Sequence, residues 1–302
     1  MTGGPISGLL LVDKPAGFTS HDVVARVRRL ARTRRVGHAG TLDPMATGLL
    51  VIGVEKATRL LGHLAGHDKD YTGTIVLGRS TSTDDAEGEF GALADVTGVT
   101  DEAVMAAAAA LTGDILQVPP AVSAIKVDGV RSYARARRGE AVDLPARPVH
   151  VASLQVLAVR RDAEVLQVDV ACTVSSGTYI RGLARDLGVA LGVGGHLSAL
   201  RRTRIGGYDI AASRTLEALE PLAAAGDFDS AVLPLAHAVA AAFPRHDVDA
   251  ETAVRVGHGA KLPADGFGAG PVGVFGPDGD VLALMQVRGD VAAALCVFVG
   301  TS

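Results

Sequence analysis

The run from Gly37 to Gly48, Gly-His-Ala-Gly-Thr-Leu-Asp-Pro-Met-Ala-Thr-Gly, concentrates the residues best suited to chemistry. Asp43 precedes Pro44, whose ring disfavours the helical region for the residue before it and holds the aspartate extended. Gly40 and Gly48 permit sharp turns or the close approach of a ligand. A carboxylate on so constrained a loop is placed for nucleophilic attack or proton transfer. Asp-Pro is also a common turn former, so the pair alone decides nothing. His38 stands five residues before Asp43. With no second ligand two to four residues away, it does not read as a metal site. Tyr71 opens a strand-like run behind Asp68-Lys69-Asp70 and offers a ring for packing or for stacking on a base. Arg181 follows Ser175-Ser176-Gly177-Thr178-Tyr179-Ile180, one position off an apolar stripe. Were it to meet Asp43, it would keep the carboxylate ionised and aim it. A surface salt bridge or a phosphate contact is the other reading.

These residues need elements to hold them. Gly8 to Val12 is a short buried strand. Thr19-x-x-Asp22 is a capping box, opening a helix with Val23, Val27 and Leu30 as its stripe. Residues 37–48 are a loop, 49–54 a strand and 55–64 a helix. Tyr71 to Leu77 alternates as a half-exposed strand, and 101–112 is helical by propensity. Strands at 149–157 and 165–174 precede an amphipathic helix, 178–191, with Ile180, Leu183 and Leu187 inward. Helices at 215–224 and 230–242 follow. After Phe243 the chain turns acidic and glycine-rich, with two strand-like runs around Pro277-Asp278-Gly279-Asp280. A domain boundary near 245 is expected, dividing 1–245 from 246–302. Strands and helices without regular alternation point to an α+β fold with a largely antiparallel sheet.

Composition narrows the class. Of 302 residues, 48% are hydrophobic and 21% charged, which excludes disorder. The apolar run Val291 to Val299 is nine residues long, against about 20 for a membrane span. Leu9 to Val12 is too short for a secretory core. Cys172 and Cys296 stand far apart, outside any zinc spacing, and fit a reducing cytoplasm. The net charge of −4 conceals an asymmetry. Residues 205–302 carry 12 acids and 5 bases, leaving a small positive balance in 1–204. Six arginines (Arg26, Arg28, Arg29, Arg32, Arg34 and Arg35) fall within ten residues without an acid. Arg131, Arg135, Arg137 and Arg138 form a second cluster, and Arg201, Arg202 and Arg204 a third. Arginine reads phosphate well, and three such clusters in an acidic chain indicate a polyanionic partner, although each alone could be a solvated face.

Six segments occur in order: Leu-Val-Asp-Lys-Pro-Ala-Gly-Phe-Thr-Ser at 11–20, the 37–48 run, Lys69-Asp70-Tyr71, Pro119-Pro120 with Ser123-Ala124-x-Lys126-x-x-Gly129 and Tyr133-x-x-Ala136, Gly177 to Arg181, and Leu200-Arg201-Arg202. Together they closely resemble the bacterial tRNA pseudouridine-55 synthases of the TruB family, over about residues 8–245. The resemblance implies a pseudouridine-synthase catalytic domain with a thumb-like insertion at about 119–149. A small, β-rich, PUA-like C-terminal domain would follow. It implies that Asp43 is catalytic, that Tyr71 stacks on the target uracil and that Arg181 pairs with the aspartate. It also implies that His38 assists base flipping, that Leu200 lines the uracil pocket, that Lys14 supports the active-site loop and that Lys126 binds substrate. The expected partner is the T-loop uridine of tRNA, handled by a cytoplasmic monomer without metal or membrane.

The chemistry suits these residue types. Pseudouridine formation breaks the N1–C1′ bond of uridine and joins C5 to C1′. The product is an isomer, so no cofactor is expected. A carboxylate must attack C1′ or C6, or remove a ribose proton. The uridine must leave its stack to reach that group. An RNA-binding or RNA-folding module would share the arginines but not need Asp43, Tyr71 and Arg181 together. A glycoside hydrolase would need a second carboxylate in a comparable motif, and none is present. A same-fold synthase acting on another RNA is the remaining alternative.

Overall fold

The structure, a computed structural model, describes residues 6–121, 126–127, 130–131, 144–162 and 164–299. Two compact units emerge. One comprises Met1–Pro44, Gly48–Ala65 and Ile205–Ser302; the other comprises Met45–Thr47 and Gly66–Arg204.

The first unit is organised around the strand Gly8–Lys14. It pairs antiparallel with Thr47–Val54, from Gly8 opposite Val54 to Lys14 opposite Gly48. Leu9 and Leu11 enter one apolar cluster, while Leu10 and Val12 enter another. Burial on both faces is what an unbroken apolar run demands. The helix Ser20–Leu30 covers the Leu10/Val12 side with Val23, Val24 and Val27. Its capping box is complete: Thr19 Oγ1 accepts from the Asp22 amide at 3.1 Å, and Asp22 Oδ2 accepts from the Thr19 amide at 2.9 Å. On the other side, Leu9, Leu11, Leu49 and Val51 share a core with Val239, Phe243, Phe275, Leu284 and Phe298. The change of composition near residue 245 is therefore not a break in packing. The apolar C-terminal strands needed a partner surface, and they find it on the first strands of the chain. Val272–Phe275 and Val281–Arg288 form the hairpin read from the Pro277–Asp280 turn, within a five-stranded sheet.

The second unit carries strands in the order Gly195–Ile205, Lys69–Leu77, Leu166–Val174, Arg147–Arg161, Gly113–Gln117. Tyr71 lies opposite Cys172, and Ile75 opposite Val168. Alternation puts Lys69, Tyr71, Ile75 and Leu77 on the buried face with Val168, Val170 and Cys172. The helices Asp101–Ala110 and Ile180–Ala190 pack within this unit. The described registers are antiparallel except where Arg214–Thr215 joins Gly8–Lys14, where Arg245–Asp247 joins Val272–Phe275 and at the isolated bridge between Asp85 and Leu197. The fold is thus α+β with a largely antiparallel sheet, and no described helix is long and apolar enough to cross a membrane.

Three departures from the sequence reading have local causes. Val36–Ala39 is a strand, because its backbone pairs with Val51–Val54; the loop proper begins at Gly40. Glu55–Leu60 is a 3₁₀ helix continued by the short α-helix Leu61–Leu64, following Glu55 at φ 54°. The strand Arg147–Arg161 outruns its expected end because Arg161 still pairs with Leu166.

Phe275 is wholly buried in the core shared with the first strands. Phe275→Ala should lower the unfolding free energy by about 3–5 kcal/mol. If the C-terminal strands belong to the same cooperative unit, urea unfolding should shift as one transition. A separate early transition, with the remainder unmoved, would contradict this.

Candidate active site

Asp43 is half-buried, and its two neighbours are fixed from opposite sides. Before it, both backbone groups of Leu42 bond one hydroxyl: the Leu42 amide donates to Ser20 Oγ at 2.9 Å, and Ser20 Oγ donates to the Leu42 carbonyl at 3.1 Å. After it, the Pro44 carbonyl accepts from Lys14 Nζ at 3.2 Å and from the Gly17 amide at 2.8 Å. Lys14 ends the central strand with its side chain wholly buried. Its ammonium also donates to the carbonyls of Pro15, at 3.0 Å, and Phe18, at 2.5 Å. A buried ammonium is tolerated only when its donors are met, and here the acceptors are the backbone of the loops it joins. Gly40 and Gly48, at φ 79° and 99°, turn the chain at either end of the loop. The carboxylate is held by backbone that has little freedom to move. Ser20 escaped the sequence reading because its partner lies 22 residues away.

His38 sits on the Val36–Ala39 strand of the same unit. Its ring meets that of His21 edge to face, with centroids 5.4 Å apart.

Tyr71, Leu200 and Arg181 belong to the second unit. Tyr71 is buried on Lys69–Leu77, beside the strand that carries Leu200. Two residues along the same face, a Cβ on Gly73 would lie 2.7 Å from the Ala199 carbonyl and 3.6 Å from Leu200 Cδ1. The glycine lets the two strands approach and brings Leu200 over the face that bears Tyr71. Arg181 begins the helix Ile180–Ala190 and is 5% exposed, deeper than a residue merely flanking the core. Its Nη1 donates to the Thr83 carbonyl at 2.9 Å and meets Asp85 Oδ2 at 3.1 Å. Asp85 is itself held by Thr83 Oγ1, at 2.5 Å, and the Glu87 amide, at 3.1 Å. Asp84 takes Arg185 Nη1 at 2.9 Å, and burial pushes its carboxyl above the usual range despite that partner. Gln117 fixes the start of the helix, accepting from the Tyr179 amide at 2.9 Å and donating to its carbonyl at 3.1 Å. None of Asp84, Asp85 and Gln117 stands out in the sequence; the acidic run Asp84-Asp85-x-Glu87 is the one local signal that could point to a partner for arginine.

The third arginine cluster is divided by burial, with Arg201 and Arg204 half-buried. Arg202 is 1% exposed. Arg204 is engaged by Asp70 through two bonds, of 2.6 and 2.7 Å, and this pairing first of all holds the Asp70 carboxyl low. Burial, reinforced by the charge of Arg202, brings Lys69 down to about 8, against the pull of Asp68.

The geometry is a carboxylate on a fixed loop in one unit, and a buried tyrosine, an apolar wall and an oriented arginine in the other. The TruB family pseudouridylate synthase N-terminal domain matches residues 28–180, and the tRNA pseudouridylate synthase B C-terminal domain matches 181–240. The C-terminal domain of tRNA pseudouridine synthase II matches 243–299. The chain belongs to the TruB family. It is 57% identical to the tRNA pseudouridine synthase B of Thermobifida fusca, over 97% of this chain and 99% of that one. It is 56% identical to the enzyme of the same name from Streptomyces coelicolor, over 96% and 97% of the two chains. A chain of a Cbf5–Nop10–Gar1 complex superposes with a TM-score of 0.75 at 27% identity, covering 97% of this chain and 85% of its own. A chain of an H/ACA ribonucleoprotein bound to a substrate RNA containing 2′-deoxyuridine gives 0.72 at 26%, covering 96% and 84%. The α+β fold with its PUA-like C-terminal domain is that of the TruB family. The side chain of Lys126 and most of the 119–149 insertion, with Arg135, Arg137 and Arg138, lie outside the described residues.

Two outcomes test this construction. Lys14→Met removes every bond of the ammonium and leaves carbonyls to find water. It should reduce the unfolding free energy by about 2–3 kcal/mol and slow turnover of the folded protein at least tenfold; unchanged turnover would detach the clamp from the site. Lys69 predicts a pH effect. Below about 8 both folded and unfolded chains hold its proton, and folding bears the full cost of burying the charge. Between about 8 and its ordinary 10.5 the unfolded chain binds more protons, so stability rises with pH. Lys69→Met should therefore be most stable relative to wild type near pH 7. That difference should shrink by on the order of 3 kcal/mol by pH 10.5, read from urea titrations. A difference independent of pH would mean that Lys69 is not depressed.

Proposed function

We propose that this chain converts uridine to pseudouridine at position 55 in the T-loop of tRNA, acting as a cytoplasmic monomer without a cofactor. Membership of the TruB family and the tRNA pseudouridine synthase B relatives at 56–57% identity support an isomerase acting on tRNA. The observation that carries the residue assignment is the double fixation of the Asp43 loop by Ser20 and Lys14.

In this reading the uridine leaves the T-loop stack and enters a pocket walled by Tyr71 and Leu200, while His38 takes part in the flipping. Asp43 attacks C1′ or C6, or removes a ribose proton, and the N1–C1′ bond breaks. The detached uracil turns while stacked on Tyr71, C5 joins C1′, the Asp43 carboxylate is released or returns the ribose proton it took, and the proton on C5 is lost as N1 gains one. Arg181 is the partner proposed for the Asp43 carboxylate. Its anchoring by Thr83 and Asp85 leaves the guanidinium little freedom to wander. Lys126 is proposed to contact the RNA. Chains from guide-RNA particles share the fold at 26–27% identity, and the much closer tRNA-named relatives favour tRNA over a guided substrate.

Incubating the purified protein with an unmodified tRNA transcript, with nothing added, should yield one pseudouridine, in the T-loop at position 55. Modification at another position, or none, would overturn the proposal. Asp43→Asn keeps the shape of the side chain and removes its charge, so it should abolish product while leaving tRNA affinity within several-fold. Turnover near wild type in that variant would remove Asp43 from the chemistry.

A further inference from the structure

The first arginine cluster has a structure of its own. The helix Ser20–Leu30 ends in Arg28 and Arg29, and a tight turn leads through Arg32, Arg34 and Arg35 to the strand Val36–Ala39. The turn is built rather than loose. The Thr33 amide donates to the Arg28 carbonyl at 3.2 Å, and the Arg35 amide donates to Thr33 Oγ1 at 3.2 Å. The Thr33 hydroxyl donates to the Glu55 carboxylate, and the Glu55 amide donates to the Arg35 carbonyl at 2.8 Å. Arg32 adopts φ 51°, a left-handed conformation that a residue with a Cβ rarely takes.

Within this turn the arginines divide by what they already hold. Arg26 pairs with Glu220, Arg28 donates to the Val36 carbonyl at 3.0 Å, and Arg35 lies 3.7 Å from Glu55. Arg29, Arg32 and Arg34 are exposed, and no ion pair to them is found among the described residues. Arg29 and Arg32, with Arg26, line an open cleft of about 440 Å³ whose single acid, Glu220, is the one paired with Arg26. The helix dipole accounts for Arg28 and Arg29 in the last turn; its effect fades within that turn and gives no reason for Arg32 and Arg34.

We propose that Arg29, Arg32 and Arg34 form a preformed docking surface for the phosphate backbone of the tRNA beside the modified nucleotide. The inference rests on the tRNA reading above and adds where the rest of the substrate lies. Arg34 precedes His38 by four residues of largely extended chain, a reach of ~13 Å. A backbone whose nucleotide is worked on near His38 would therefore pass within range of the turn. Guanidinium groups suit phosphate oxygens. A chain with net charge −4 must concentrate its positive field locally to hold a polyanion.

The test compares two charge-matched triple variants on full-length tRNA transcript: Arg29→Gln/Arg32→Gln/Arg34→Gln, and Arg255→Gln/Lys261→Gln/Arg288→Gln, three exposed bases of the acidic C-terminal part. Binding is measured from 50 to 300 mM salt, and pseudouridine formation in single turnover at saturating tRNA. The first variant should weaken binding at least tenfold and flatten the slope of log K against log salt by about two to three. Its rate at saturation should stay within about threefold of wild type. The second should leave the slope unchanged. An unchanged slope in the first variant, or an equal loss in both, would overturn the docking surface. If wild type itself made no pseudouridine, the functional reading would fail instead, and the binding slopes would still judge the surface on their own.

Discussion

Everything near Asp43 depends on where one ammonium ends up. Lys14 closes a strand that is apolar from Leu9 to Val12, and its side chain is wholly buried. It is accommodated because loop carbonyls surround it, those of Pro15, Phe18 and Pro44. The dependence is mutual. The loops keep their shape because the cation collects their oxygens, and the cation stays because the loops supply them. A hydrophobic residue at this position would leave those carbonyls without their donor and the segment beside the carboxylate unspecified. The strand thus exports order from the core to a loop whose own buried apolar side chains are Leu42 and Ala46.

Much of this arrangement was legible in the sequence, and the limits have physical causes. The capping box at Thr19 and the unbroken apolar run at Leu9–Val12 are local signals, and both elements form as the residues dictate. The glycine and proline content of residues 37–48 marked a constrained loop, yet Val36–Ala39 is a strand, because pairing with Val51–Val54 overrides local preference. The links that orient the side chains were out of reach. Gln117 and Tyr179 are 62 residues apart, and Arg181 and Thr83 are 98 apart. Nothing in either segment names the other. The three arginine clusters looked alike as composition. Burial alone separates Arg202, sealed inside, from Arg32 and Arg34 on the surface.

The candidate residues fall in two units. One holds a carboxylate on a fixed loop; the other holds an aromatic ring, an apolar wall and an arginine whose rotamer is set by Thr83 and Asp85. Each half is rigid for reasons internal to itself: Lys14 and Ser20 in the first, Gln117 and the Asp84–Asp85 pair in the second.

The core shared by Leu9 and Phe298 has a consequence for how the molecule comes into being. Those residues lie roughly 290 positions apart, so on a ribosome adding about 5–20 residues per second they emerge ~15–60 s apart. The second unit, almost wholly contained between Gly66 and Arg204, can close while synthesis continues. The opening strands cannot complete their core until the last strand leaves the exit tunnel. During that interval Leu9, Leu11, Leu49 and Val51 expose one apolar face, making the nascent N-terminal segment a natural client for a chaperone waiting at the tunnel mouth.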